Sequence, residues 1–223
     1  MKKTLQVAID GPSGAGKSTV AKGISKKMQL EYVDTGAMYR ALAYKFIKNN
    51  YENYNDTEDL LSILNNTNID FSNGRLFLDG DDISELIREE KIGMLASKIS
   101  AIQEIREYMV NLQRRIASNH DVIMDGRDVG TVILKDSDFK YYLTATLDER
   151  TKRRYLQLKE SGQFVEYADV MEMLQKRDYD DMNRIHSPLM KALNSVEVDC
   201  TSLTEEETID LIIENIRERL DVL

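Results

Sequence analysis

The sequence predicts an α/β protein, a doubly wound five-stranded parallel sheet that carries a phosphate-binding loop. Three observations predict it. A short apolar run at residues 5–10 ends directly in Gly11-Pro12-Ser13-Gly14-Ala15-Gly16-Lys17-Ser18. Strand-like and helix-like segments alternate along most of the 223 residues, the order of a mostly parallel sheet. Two further strand candidates end in charged turns, Asp34-Thr35-Gly36 and Asp125-Gly126-Arg127-Asp128, and such sheets bind ligands at the carboxyl ends of their strands.

The elements follow in order. Residues 5–10 are apolar, β-compatible and stop at glycine, as a buried strand does. Residues 18–28 then show helical spacing through Val20, Ala21, Ile24 and Met28. Residues 31–33 form a second strand and 37–47 a second helix. From about 51 to 94 the rhythm breaks: 56–64 reads as a short helix capped by Asp56 or Thr57. Residues 69–71 and 75–78 flank Ser72-Asn73-Gly74, where Asn-Gly signals a hairpin, and Asp79-Gly80 suggests a second tight turn before Ile83. A small antiparallel sheet inserted into an α/β chain points to a subdomain.

Ile105, Met109, Leu112 and Ile116 mark a helix ending near Asn119. Residues 122–124 and 140–144 are strands, and 148–160 is a charged, exposed helix broken at Ser161-Gly162. Another helix covers 165–181, Val196–Asp199 is the last strand, and 204–220 closes the chain with Thr204 and Glu207 as a capping box. No internal repeat or low-complexity tract is present. The expected organisation is a single domain over 1–223. Its core is 1–40, 96–147 and 182–223, with a small inserted subdomain at about 41–95 and a helical lid at about 148–181.

Composition narrows the partners. A hydrophobic fraction of 42 % beside 31 % charged residues fits a globular protein. Lys and Arg number 30 against 39 Asp and Glu, so the net charge of −9 offers no global attraction to nucleic acid or anionic membrane. A phosphate site must therefore come from a local cluster of cations. Cys200 is the only cysteine, which excludes an intramolecular disulfide and a cysteine-based metal cage. The two histidines, His120 and His186, read as surface or structural groups. No apolar stretch reaches the length of a membrane span, and a cytoplasmic, reduced, monomeric protein is expected.

Residues 11–18 match the nucleotide-binding loop at each of its fixed positions, Gly11, Gly16, Lys17 and Ser18. Its backbone N–H groups point at phosphates from the positive end of the following helix. Pro12, Ser13, Gly14, Ala15 and Thr19 complete the expected ATP-binding stretch. Lys17 supplies charge to the β- and γ-phosphates, and Ser18 a hydroxyl to Mg²⁺. A GTPase would carry an N-K-x-D signature, which is missing. A motor ATPase would carry an acidic strand end followed by a catalytic Glu, whereas Gly126 and Arg127 follow Asp125. A small-molecule kinase fits better.

Arg40, Arg127, Arg177 and Arg184 lie beside turns rather than scattered. A phosphate monoester has its second pKa near about 6, so a phosphate acceptor is already ionised and needs no base. Its obstacle is repulsion between two polyanions, which arginine forks and Mg²⁺ offset. Abundant arginine without an evident base therefore favours a phosphate acceptor over an alcohol.

The stretches 10–19, 34–40, 125–131 and 177–184 resemble those of the bacterial cytidylate kinases, a nucleoside monophosphate kinase family, over nearly the whole chain. The resemblance implies transfer of the γ-phosphate of ATP to CMP or dCMP, with Mg²⁺. It implies that Arg40, Arg127 and Arg184 grip the acceptor phosphate and that Ser97, Arg106 and Asp128 read the cytosine edge. Arg177 and Asp181 would lie near the ribose, with Thr35 and Tyr39 around the acceptor. It makes Lys17, Arg127, Arg184 and a lid arginine, Arg154, the catalytic set. A carboxylate accepting from the exocyclic amine of cytosine would lose that bond with uracil. The alternatives are another acceptor, such as UMP or a shikimate-like metabolite, or a P-loop regulatory ATPase.

Overall fold

The computed structural model describes residues 4–54, 57–72 and 74–221. The expected cap Asp56 and the hairpin residue Asn73 lie outside the described residues. The chain packs as two compact units, one from the residues up to Tyr32 together with those from Asn119 onward, the other from Val33–Ser118. The second unit is wider at both ends than the insert expected at about 41–95.

The first unit is organised by the five-stranded parallel sheet. Its members are β1 (Gln6–Asp10), β2 (Glu31–Asp34), β6 (Val122–Gly126), β7 (Phe139–Thr144) and β8 (Val196–Asp199), in the order β2-β6-β1-β7-β8. The second half of β2 already counts with the other unit. Val7, Ala8 and Ile9 of the central β1 are fully buried, as a strand covered on both faces requires. Asp10 stands opposite Gly126 on one side and Tyr142 on the other. The turns that follow β1 and β6 therefore emerge next to each other at the carboxyl edge of the sheet.

Helices α1 (Lys17–Met28) and α8 (Glu205–Leu220) pack together on this sheet, and Val20, Ile24, Ile209, Ile212 and Ile216 share one core with Ile9, Tyr141 and Leu143. The expected capping box opens α8: Thr204 Oγ1 accepts from the Glu207 N–H at 3.2 Å, and Glu207 Oε2 accepts from the Thr204 N–H at 2.8 Å. Helices α6 (Leu147–Glu160) and α7 (Tyr167–Asn183) pair with each other over a small core of Leu158, Val170 and Leu174.

The second unit contains α2 (Thr35–Lys48), α3 (Thr57–Asn65), α4 (Glu90–Ile99) and α5 (Gln103–Asn119) with an antiparallel sheet of β3 (Ile69–Ser72), β4 (Arg75–Leu78) and β5 (Asp81–Asp82). Asp79 and Gly80 have φ of 53° and 91°, the left-handed pair that a two-residue hairpin turn needs, and they join β4 to β5 as expected. α2 packs on α4, and Met38, Leu42, Phe46, Ile92 and Ile99 are almost wholly buried.

Two differences from the sequence reading have local causes. α2 begins at Thr35 rather than 37, because Asp34 caps it by accepting from the Ala37 N–H at 2.7 Å. α4 was not predicted as an element. Its N-cap, Glu89, makes no side-chain capping bond, so the usual start signal is missing, although Ile92, Ala96 and Ile99 keep helical spacing.

Candidate functional site

Residues 11–18 connect β1 to α1, as the sequence implies. Gly11 has φ +150°, and a Cβ there would lie 2.0 Å from the carbonyl oxygen of Leu143 in β7, so a larger residue would force the loop off the sheet. Gly16, the N-cap of α1, is left-handed at φ 89° and makes no side-chain cap, and no acidic residue occupies the first turn. The helix thus opens with no acidic residue of its own to offset the positive end of its dipole.

Lys17 is buried, and its Nζ donates to the Pro12 carbonyl at 2.7 Å. Burial, reinforced by the charges of Arg127 and Arg177, lowers its pKa to about 7, with Asp125 and Asp181 pulling the other way. Ser18 Oγ donates to Asp125 Oδ2 at 2.8 Å, and the Tyr32 hydroxyl donates to Asp125 Oδ1 at 2.8 Å. Asp125 is buried at the end of β6. Gly126 and Arg127 read as departures from an acidic strand-end motif, yet the acid itself stands against the loop serine.

Mg²⁺ is the metal this arrangement would suit. Ser18 and Asp125 are hard oxygen donors held together at the mouth of the loop. Among the described residues no group of three His, Cys, Asp or Glu side chains is arranged to hold an ion unaided. A cation here fits only as Mg²⁺ commonly binds, with few protein ligands and the remainder from phosphate and water.

Asp10 is also buried, and its two oxygens accept from the Val129 N–H at 2.8 Å and the Gly130 N–H at 2.7 Å. Burial raises its pKa to about 6 despite those bonds. The carboxylate braces the π-helical turn Val129–Ile133, which follows the Asp125–Asp128 corner.

Arginines expected at the acceptor converge in the first unit. Arg127 Nε donates to Asp181 Oδ2 at 2.6 Å, and Arg184 lies 3.8 Å from Asp181 and 3.5 Å from Asp128. Arg184 Nε also donates to the Ser187 carbonyl. Burial works against the charge on Arg127, but Asp181, Asp125 and Asp178 outweigh it and hold its pKa above the usual value. Burial likewise opposes the Asp181 charge, and Arg127, Arg177 and Arg184 overcome it and lower its pKa. Asp181 and Asp128 are thus members of a shielded network rather than surface charge. Arg177 itself is exposed on α7.

The second unit holds the other expected residues. Arg40 Nη2 pairs with Asp34 at 2.9 Å. Arg106 is buried, donates from Nη1 to the Ser100 carbonyl at 2.9 Å and lies 5.9 Å from the Tyr39 ring centroid. Thr35 is buried in the first turn of α2, and Ser97 is exposed on α4. Tyr39 and Arg106 are therefore together.

The arginines of α6 divide. Arg154 donates to Gln157 at 2.8 Å on the partly exposed face of α6. Arg153 donates to the Cys200 carbonyl at 2.8 Å and to Glu149 at 3.0 Å. Arg150 points inward to the phosphate loop. Asp10, Asp125 and Asp178 were not singled out as site residues, and among the arginines Arg150, Arg153 and Arg154 the choice fell on Arg154. The signal for Asp10 and Asp125 was their position at the carboxyl ends of apolar strands. Asp178 lies inside the 177–184 stretch that carries the resemblance, but a charged helix gives no hint of which residues turn inward.

A loop of this form, on the central strand of such a sheet, defines an ATP-dependent phosphotransferase of the P-loop class. The family model for cytidylate kinase matches residues 7–218. The cytidylate kinase of Caldanaerobacter subterraneus is 46 % identical over 215 residues, covering 96 % of each chain. That of Clostridium acetobutylicum is 43 % identical over 216 residues, covering 97 % of this chain and 99 % of its own. The fold is also similar to an uncharacterised protein of Eubacterium ventriosum, with a TM-score of 0.55 at 14 % identity, over 96 % of this chain and 99 % of that one. The chain belongs to the cytidylate kinase family.

Proposed function

We propose that the enzyme transfers the γ-phosphate of ATP to CMP or dCMP, giving CDP or dCDP, and that Mg²⁺ accompanies the nucleotide. The observation that carries this reading is the shared field of the loop and the arginine network. Lys17 is buried within the field of Arg127 and Asp181, which pair at 2.6 Å, and of Asp125, which holds Ser18 at 2.8 Å, so donor and acceptor groups act on one another directly. Polyphosphate bound by the N–H groups of residues 11–18 would draw Lys17 from the Pro12 carbonyl toward the β- and γ-phosphates. An acceptor phosphate would be held by Arg127 and Arg184, with Asp181 holding Arg127 in orientation. Mg²⁺, when bound, neutralises charge on the phosphoryl oxygens, and Ser18 with Asp125 behind it would hold it.

No side chain is required to remove a proton, because the acceptor oxygen is ionised near neutral pH. Asp128 and Asp181 fit this, since both are committed to arginines. Rate acceleration then comes from position and charge. Asp128 and Arg106, both buried, are the groups for the cytosine edge, joined by Ser97, while Arg40 belongs with the phosphate and Thr35, Tyr39 and Arg177 with the remainder of the acceptor. Helices α6 and α7 serve as the lid and bring Arg154 to the transferring group. The enzyme works as a monomer in the cytoplasm.

A coupled ADP-release assay with CMP, dCMP, UMP and AMP tests the reading. CMP and dCMP should exceed UMP in kcat/KM by about 10²-fold, the scale set by one unpaired buried hydrogen-bonding group. Asp128→Ala should narrow that ratio. UMP preferred over CMP, or ATP hydrolysis that no acceptor stimulates, would overturn it.

A further inference from the structure

We infer that Arg150 and Asp178 are positioning residues that set the phosphate loop from behind, by orienting two consecutive peptide groups of the loop without touching nucleotide. The inference rests on the donor-loop reading above. Asp178 is buried near the end of α7, and its Oδ1 accepts from the Ser13 N–H at 2.8 Å. Arg150 is buried on α6 and donates from Nη1 to the Ser13 carbonyl at 2.8 Å. The same Nη1 reaches Asp178 Oδ2, and Nε donates to the Ala145 carbonyl at 3.0 Å, just beyond β7. A charge pair has been taken out of water to grip both backbone groups of one residue.

Peptide geometry gives that grip a consequence. In a trans peptide the C=O and N–H point in opposite directions across one rigid plane. The Pro12–Ser13 peptide has its N–H turned to Asp178, so its carbonyl faces the other way, and there it receives Lys17 Nζ at 2.7 Å. The Ser13–Gly14 peptide has its carbonyl turned to Arg150, so the Gly14 N–H is directed away from α6. Gly14 is itself left-handed, at φ +77°, and a Cβ on it would lie 3.2 Å from Arg150 Cβ. Helix α6 is thus seated on the loop backbone. One pair from two helices fixes both the rest position of Lys17 and the aim of an N–H in the anion-binding stretch. A solvated charge run on α6 would do neither.

Two single variants and one double variant test this, each assayed for KM of ATP, KM of CMP, kcat and ADP binding by calorimetry. Arg150→Lys keeps the charge pair but not the fork between Ser13 and Ala145. Asp178→Asn turns an amide donor toward Arg150. Each should raise KM for ATP and weaken ADP binding about tenfold while KM for CMP changes less than about twofold. The neutral pair Arg150→Gln with Asp178→Asn can rebuild the hydrogen bonds to Ser13 and should recover most of the ATP affinity. A lower melting temperature with unchanged ADP affinity in both single variants, or no recovery of affinity in the double variant, would make the pair merely structural and overturn the inference. Equal rises in both KM values would also overturn it. Lys17→Ala serves as the control on the underlying reading. If it lost nucleotide binding while Arg150→Lys did not, only the positioning role would fall; if it bound ADP normally, both would.

Discussion

Asp10 illustrates how a single buried charge can tie stability to pH. Its carboxylate closes the end of β1, accepts from the Val129 and Gly130 N–H groups, and has its pKa raised by burial from 3.8 to about 6. Between those values the native chain holds the Asp10 proton more tightly than the unfolded chain does. The associated stability is therefore fully present below pH 3.8 and is lost as the pH rises through about 6. Two units at about 1.4 kcal/mol each amount to about 3 kcal/mol. Asp10→Asn places an amide N–H₂ against one of the two backbone donors, so it should be less stable throughout. Its deficit relative to the native enzyme should shrink by about 2 kcal/mol between pH 4 and pH 7 in urea unfolding curves. A deficit independent of pH would mean that Asp10 is ionised throughout that range. Lys17 makes the complementary catalytic prediction. Lys17→Ala removes a buried cation that, in the proposed donor role, stabilises charge developing on the phosphates, and should lower kcat about 10²- to 10³-fold. Far-ultraviolet circular dichroism should stay native; retention of near-normal turnover would remove the lysine from the donor site.

At the level of elements, α8 offers the simplest test, because its start is built from two reciprocal bonds. Thr204→Ala removes the side-chain acceptor for the Glu207 N–H and leaves Glu207 without its hydroxyl partner. The loss should be about 1 kcal/mol in denaturant midpoint analysis, with kcat unchanged. No change in the midpoint would show the helix held by Ile209, Ile212 and Ile216 alone. That capping box was legible in the sequence because its chemistry is local. The strands were legible for the same reason, since Val7–Ile9 and Val122–Met124 are unbroken apolar runs and both are fully buried. α4 was not, because its first turn lacks a capping side chain and its identity depends on packing against α2. The site divides likewise. Gly11, Gly16, Lys17 and Ser18 are a contiguous motif whose spacing carries its meaning. Arg127 with Asp181 is separated by 54 residues and Ser13 with Asp178 by 165, so their pairing is a product of topology. Family resemblance could nominate Asp181 as a ligand residue, but only the fold displays it as the partner of Arg127.

For the molecule as a whole, the distribution of the proposed site residues between units should make the two substrates separable. A chain of net charge −9 has gathered Lys17, Arg127, Arg177 and Arg184 in the first unit, together with the entire phosphate loop. Thr35, Tyr39, Arg40, Ser97 and Arg106 belong to the second. Backbone N–H groups that bind phosphate, and helices whose side chains are gripped by a ligand, exchange their hydrogens more slowly while it is bound. ADP alone should therefore slow exchange in residues 11–18 and in α6, whose Arg150 holds the Ser13 carbonyl. CMP alone should slow exchange in the first turns of α2 and in the stretch from Ser97 to Arg106, where Arg106 and Tyr39 already meet. The Arg127 corner should respond to both, since it faces Asp181 and lies in the field of Lys17. Hydrogen-exchange mass spectrometry on the full-length enzyme resolves these segments as separate peptides. Protection of α2 and the 97–106 stretch by ADP but not by CMP would reverse the assignment of acceptor residues. Protection by CMP confined to the first unit would leave Arg127, Asp128 and Arg184 to hold the acceptor without Arg40 or Arg106.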